Sequence, residues 1–282
     1  MKRTLDVPLH ARNGVICLSG GAVYVAECPS CEITTSKFVD NVSRGDGGFG
    51  DWQLVYVWLL ATLIACCAGG AVATVASGAD FTSVVSVSDC TFNANVASSA
   101  GGGIFVGSGT GVGVTSCVFE YNIVLGILIS TRIPASGGAA IAAHNPIPDS
   151  YVVDSRFTGS NAKMSVNCNA LAAAPSQGGV GLGGAIYWTP SVAGSRIDGC
   201  TFERVHACTG SAIASMDATF EVSNIVAVDG EALSGGVFAF SRVAATIANV
   251  TAMRNQAFGT DEFFGGSSWY VALVLVPPLH NH

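Results

Sequence analysis

The chain has 282 residues, half of them apolar but only 11% charged, with a formal net charge of −7. That length allows a substantial buried core, while twelve Lys and Arg cannot supply the basic face that phosphate binding needs, which excludes nucleic acid as a partner. Lys and Glu are also too scarce for the outer faces of a helix bundle, and the abundance of Gly, Ala, Ser, Val and Thr points to an all-β fold.

Residues 1–13 read as an N-terminal tail. Met1-Lys-Arg is followed by Thr-Leu-Asp-Val-Pro, with no apolar run of signal-peptide length. From residue 14 onward two short signatures alternate. The first is a Gly pair followed by a small and an aliphatic residue. Its copies are Gly20-Gly21-Ala22-Val23, Gly69-Gly70-Ala71-Val72, Gly102-Gly103-Ile104, Gly137-Gly138-Ala139-Ala140-Ile141, Gly183-Gly184-Ala185-Ile186 and Gly235-Gly236-Val237, with a weakened Gly210-Ser211-Ala212-Ile213. The second signature sets an aliphatic residue five before a Phe and an Asn three after it. It runs Ile33, Phe38, Asn41, then Val87, Phe92, Asn95, then Val114, Phe119, Asn122. Val152 and Phe157 follow with Asn161 one residue late, and Ile197 and Phe202 have Val205 in the Asn position. Two degenerate copies place Ala for Phe: Val222 with Ala227, and Ile247 with Ala252 and Asn255.

Successive Phe positions lie 54, 27, 38, 45, 25 and 25 residues apart, so a base period near 25 is lengthened by insertions. Such a period, with strands patterned at period two, predicts a right-handed parallel β-helix of about seven coils over residues 14–266. Stacked coils bring equivalent residues about 4.8 Å apart. Phe and Val/Ile then form inward columns, and the residue two before each Phe (Ser36, Cys90, Cys117, Ser155, Cys200, Ile225, Val250) points inward as a small buried side chain. The Asn column falls at a turn, where side-chain amides can bond along the axis. The Gly pairs supply φ > 0 or close backbone approach.

Residues 42–68 interrupt the repeat as an irregular apolar insert. Within the wider span 54–76 no charge occurs, which meets the length and polarity of a transmembrane helix. Its last residues begin a coil, however, and coils flank it on both sides. A buried insert is the expected reading, with membrane association through 54–76 as the alternative. Residues 267–282 form a C-terminal tail. Its Trp269–Pro278 run is too short to span a membrane and reads as a terminal cap or as sequence that has left the repeat.

The pairing of Gly-Gly-Ala-Ile with Phe-x-x-Asn, from about Gly20 to Asn255, resembles the repeat of the polymorphic outer membrane proteins, within the pectin lyase-like superfold. The resemblance implies a non-catalytic passenger displayed at a cell surface, in an outer membrane or outside the cell, serving adhesion or structure. Its implied partners are host or cell-surface proteins or glycans. No cofactor is implied.

The chemistry-bearing residues are few. Gly179-Val-Gly181-Leu-Gly-Gly184 lacks the strand–helix context of a dinucleotide fingerprint. Cys28-Pro-Ser-Cys31 is the local metal or redox candidate, with a loop disulfide or free thiols as the plainer reading, and Cys200, His206 and Cys208 are a second possible ligand set. The β-helix also hosts polysaccharide hydrolases and lyases, which place acids on one outward sheet. The outward residues three before each Phe are Thr35, Asp89, Ser116, Asp154, Gly199, Asn224 and Asn249. Asp89 and Asp154 lie two coils apart, about 9 to 10 Å between backbones, a carboxylate spacing suited to an inverting hydrolase. No aromatic platform or basic residue is expected beside them, so solvent-facing polar residues are the preferred reading. Of the sequons Asn41-Val-Ser43 and Asn249-Val-Thr251, the outward Asn249 is the glycosylation candidate.

Overall fold

The computed structural model describes residues 9–12, 15–17, 22–26, 28, 30–43, 70–75, 83–98, 100–125, 137–162, 182–189, 191–241 and 243–257. Among them the fold is all-β, without a helix, and its sheets are mostly parallel. Each sheet collects equivalent strands from successive repeats, an arrangement compatible with a β-helix.

Three long faces emerge. The glycine face carries Val23–Ala26, Val72–Val75, Ile104–Val106, Ile141–His144, Ile186–Thr189, Ile213–Met216 and Phe238–Ser241. The aliphatic face carries Ser30–Thr34, Ser83–Ser88, Thr110–Thr115, Tyr151–Val153 and Ser191–Asp198. The phenylalanine face carries Lys37–Val39, Thr91–Asn93, Val118–Glu120, Arg156–Thr158 and Thr201–Glu203. The last two strands, Ala218–Val228 and Ala244–Met253, run through both of these faces. Short strands such as Val42–Ser43, Val96–Ala97 and Ile123–Val124 line the corner after the Asn column. Leu9–Arg12 and Val15–Cys17 pair antiparallel with Ser30–Thr34 and Val23–Ala26, covering the N-terminal edges of two sheets.

The registers follow the repeat. Ile33, Val87, Val114, Val152, Ile197, Val222 and Ile247 are consecutive partners, and so are Phe38, Phe92, Phe119, Phe157, Phe202, Ala227 and Ala252. On the glycine face the partner of Ile213 is Phe238, not Val237, one residue beyond the position expected from Gly235-Gly236. The first five Phe rings stack as a continuous ladder with centroids 4.9, 4.7, 4.9 and 4.9 Å apart. Such contacts add about 0.5–1.5 kcal/mol per pair beyond burial. Where Ala227 and Ala252 end the ladder, Phe220, Phe238 and Phe240 fill the core, with Phe220 edge-on to Phe240 at 5.3 Å. Trp188 is buried between the small Ala143 and Ser215 of its own row.

The Gly signature divides its labour. The residue three before the aliphatic position takes positive φ in Gly101, Gly138, Gly183, Gly210 and Gly235. The next residue lies against the neighbouring repeat: a Cβ on Gly102 or Gly184 would collide with the carbonyl of Ala139 or Ser211. The positive-φ position is glycine in each of these repeats, whereas the position after it is glycine at Gly102 and Gly184 but Ala139 and Ser211 in two others. Length variation is greatest at one corner. The interval from the Asn position to the next aliphatic residue of the glycine face is 31, 9, 19, 26, 8 and 8 residues, whereas the remainder of each repeat takes 17 to 19, except for the 23 from Val72 to Asn95. Residues 44–69 lie outside the described region, as do 258–282. Val72–Val75, at the end of the 54–76 span, is a strand of the glycine face. No helix among the described residues is long and apolar enough to cross a membrane.

The Asn column forms the expected amide ladder. Asn41 donates through Nδ2 and its backbone N–H to Asn95 Oδ1 (2.9 and 3.1 Å), and Asn95 repeats both bonds to Asn122. Each Asn also returns its own Nδ2–H to the preceding Phe-position carbonyl, Asn95 to Phe38, Asn122 to Phe92 and Asn255 to Ala227. The fourth position is Ser160, not Asn161, which instead bridges Ile123 and His206. Ser160 Oγ is buried without a hydrogen-bond partner. Ser160→Asn is therefore expected to accept from the Asn122 N–H and donate to the Phe119 carbonyl, raising stability by about 1 kcal/mol; urea unfolding of the two proteins measures it.

Candidate functional site

The outward column three before each Phe carries the acid pair. All seven of its residues have left-handed backbone: Thr35, Asp89, Ser116, Asp154, Gly199, Asn224 and Asn249, with φ between 47° and 62°. Asp, Asn and Gly are the residues that adopt this conformation most readily. Their recurrence is thus explained by the corner between the aliphatic and phenylalanine faces. Asp89 and Asp154 are exposed, with Ser116 between them in the column. A second left-handed column, two after each Phe, comprises Asp40, Ala94, Tyr121, Gly159, Arg204, Asp229 and Arg254. Its composition offers no signal in the sequence.

The acids do have an aromatic and a basic neighbour on their face, contrary to expectation. Tyr151 lies three residues before Asp154, and the Arg196 guanidinium sits 5.6 Å from the centre of its ring. Gly113 makes room for this ring, since a Cβ there would strike the phenol end. Both sides of the ring are therefore engaged within the sheet surface. Beside it a shallow groove of about 190 Å³ is bordered by Val84, Ser86, Ile147, Asp149 and Tyr151.

Polar side chains beyond Asp154 bond along the axis. Asp198 accepts from Asn224 Nδ2 (2.7 Å) and Ser223 Oγ (2.8 Å), and Asn249 Nδ2 donates to Asn224 Oδ1 at 3.0 Å. These bonds, the one from Asn224 foremost, hold the Asp198 carboxyl below its ordinary range. The sequon amide of Asn249 is exposed but already engaged, while Asn41 is buried in the amide ladder. On the phenylalanine face Arg156 pairs with Glu203 at 2.9 Å and Arg254 with Asp229 at 2.6 Å.

Cys28 and Cys31 form a disulfide and are buried, which withholds both sulfurs from a metal. Cys208 is also disulfide-bonded. Cys200 belongs to the inner column, donates to the Asp198 carbonyl at 3.3 Å, and is pushed up to about 12 by burial. His206 Nδ1 lies 3.2 Å from Glu231 Oε2. The second candidate ligand set is thereby divided among three different roles. Cys90 and Cys117 are buried free thiols, neighbours in the inner column, and each Sγ donates to the carbonyl two residues earlier, Ser88 at 3.1 Å and Thr115 at 3.2 Å. No group of three or more metal-ligating side chains occurs among the described residues.

No protein-family model, curated protein or solved structure matches this chain.

Two outcomes follow from the corner column. Asp89→Asn and Asp154→Gly should leave stability unchanged within about 0.5 kcal/mol, whereas Asp89→Val should lose about 1–2 kcal/mol, because a β-branched residue resists positive φ; chemical denaturation reads all three. Because the folded-state pKa of Asp198 is depressed, its contribution is present above the unfolded pKa and is lost as pH falls through the folded value. Asn224→Ala should raise the Asp198 pKa in an NMR titration and make stability less steep in pH below about 4.

Proposed function

We propose that this chain is a right-handed parallel β-helix of about seven coils, of the polymorphic outer membrane protein repeat type, that serves as a non-catalytic structural or adhesive element at a cell surface or outside the cell. Several features support the architecture. In-register parallel pairing runs through seven successive repeats of the aliphatic and phenylalanine columns, and connections between parallel strands are right-handed in about 98% of cases. The Cys28–Cys31 disulfide favours an oxidising compartment.

The observation that carries the non-catalytic reading is the shared left-handed backbone of all seven residues in the column of Asp89 and Asp154. A corner requirement accounts for both carboxylates without invoking chemistry on a substrate. The surface then offers rows of Ser, Thr, Asn and paired charges, suited to contact with a protein or glycan of another surface. The groove beside Tyr151 favours a second reading, a carbohydrate-active β-helix, in which Asp89 and Asp154 would act on a bound polysaccharide.

A screen of acidic and neutral polysaccharides separates the two. The expected result is no cleavage by the native chain and equal glycan or cell binding by the native chain and the Asp89→Asn/Asp154→Asn variant. Hydrolysis or elimination by the native chain that disappears in the variant would overturn the non-catalytic reading.

A further inference from the structure

Cys90 and Cys117 occupy the inner column in successive repeats, both buried and both free thiols. Their sulfurs hold equivalent places. Beside its bond to the carbonyl two residues earlier, each Sγ lies 3.6 Å from the aliphatic-position carbonyl of the preceding repeat, Ile33 for Cys90 and Val87 for Cys117. Equivalent rotamers in adjacent repeats are displaced by one strand spacing, about 4.8 Å. The Phe92 and Phe119 rings of the same two repeats are 4.7 Å apart. That displacement is too long for a disulfide, whose Cβ atoms come within about 3.5–4.5 Å of each other. It matches two collinear metal–thiolate bonds, which at about 2.3 Å each span about 4.6 Å.

We propose that Cys90 and Cys117 form a two-coordinate site for a soft monovalent cation, Cu(I), held in line between the two sulfurs. Ligand number selects the ion. Thiolate sulfur favours Cu(I), zinc and iron–sulfur clusters, but structural zinc and the clusters take four protein ligands. Here the column continues on either side into Ser36 and Ser155, and the core around it is built from Ile33, Val87, Phe92 and Phe119. Among the described residues, two sulfurs are therefore the whole ligand set. Binding exchanges two thiol protons for one Cu(I) and leaves one net negative charge. The backbone N–H of Ser36, directed at Cys90 Sγ from 3.4 Å, offsets part of that charge. Cys200 provides an internal comparison. It sits in the same column with its Sγ 3.3 Å from the Asp198 carbonyl, but its neighbours there are Ser155 and Ile225, so it lacks a second sulfur. Because the two thiols are enclosed, the ion enters as the chain folds. The site stands on the inner column and not on any surface role, so its failure would leave the preceding section untouched.

Refolding the full-length chain from urea, with Cu(I) supplied anaerobically as its acetonitrile complex, tests the site by competition against bicinchoninate. The chain's other cysteines make the comparison differential. The native chain should retain one more copper than Cys90→Ser/Cys117→Ser, and hold it about 100-fold more tightly than either single variant, which keeps one sulfur of the pair. Cys200→Ser should behave as the native chain does. Serine already occupies this column at Ser36 and Ser155, so the variants are expected to fold; if the double variant does not, Cys117→Ala takes its place under the same reading. Equal copper retention by native and double-variant chains overturns the proposal, as does undiminished affinity in either single variant. A Cys90–Cys117 disulfide after refolding in air would also overturn it, by showing that the sulfurs approach more closely than the column spacing allows.

Discussion

Everything in this structure depends on register between repeats. Backbone ladders between parallel strands and stacked aromatic rings require nearly the same spacing, and the Phe centroids fall 4.7 to 4.9 Å apart, matching the strand separation of a sheet. One displacement therefore satisfies the backbone, the rings and the amide ladder together. A single residue added within a strand would turn every following side chain to the opposite face. This is why glycine stands where repeats touch backbone to backbone, and why corners recur at the same step. It also explains how the core survives loss of the ring column after Phe202: volume returns from the other two faces, through Phe220 on the aliphatic face and Phe238 and Phe240 on the glycine face.

The same constraint settles the standing of most polar residues. Ser36, Cys90, Cys117, Ser155 and Cys200 are small because the inner row leaves little room, and their hydroxyls and thiols return hydrogen bonds to nearby carbonyls. Asp89 and Asp154 answer a corner geometry, Asp198 an axial chain of amides. Chemical groups that are scattered in a list of residues become columns with a single cause.

Much of this was legible in the sequence because a column leaves a composition behind it. The Phe, aliphatic and Asn positions were found from spacing alone. The left-handed corner before each Phe was seen as a polar row, but not as a conformation. The corner after each Phe left no trace, because Ala94, Tyr121 and Arg204 adopt it as well as Asp40 and Asp229 do; there the surrounding ladders override residue preference. Tyr151 and Arg196 were missed because 45 residues separate them and only strand register brings them together. Phe238 takes the place that the motif assigns to Val237, and Ser160 that of Asn161, because the chain slips by one residue relative to the motif at both positions.

The concentration of length changes at one corner has a further consequence. Intervals of 8 and 31 residues leave and rejoin the sheets at the same edge without altering the pairing on either side. The molecule is in effect two materials joined along a seam: a ribbon whose inward residues are fixed by register, and a margin where segments can be gained, lost or rewritten independently. New specificities can accumulate on that margin while the scaffold that holds them stays constant.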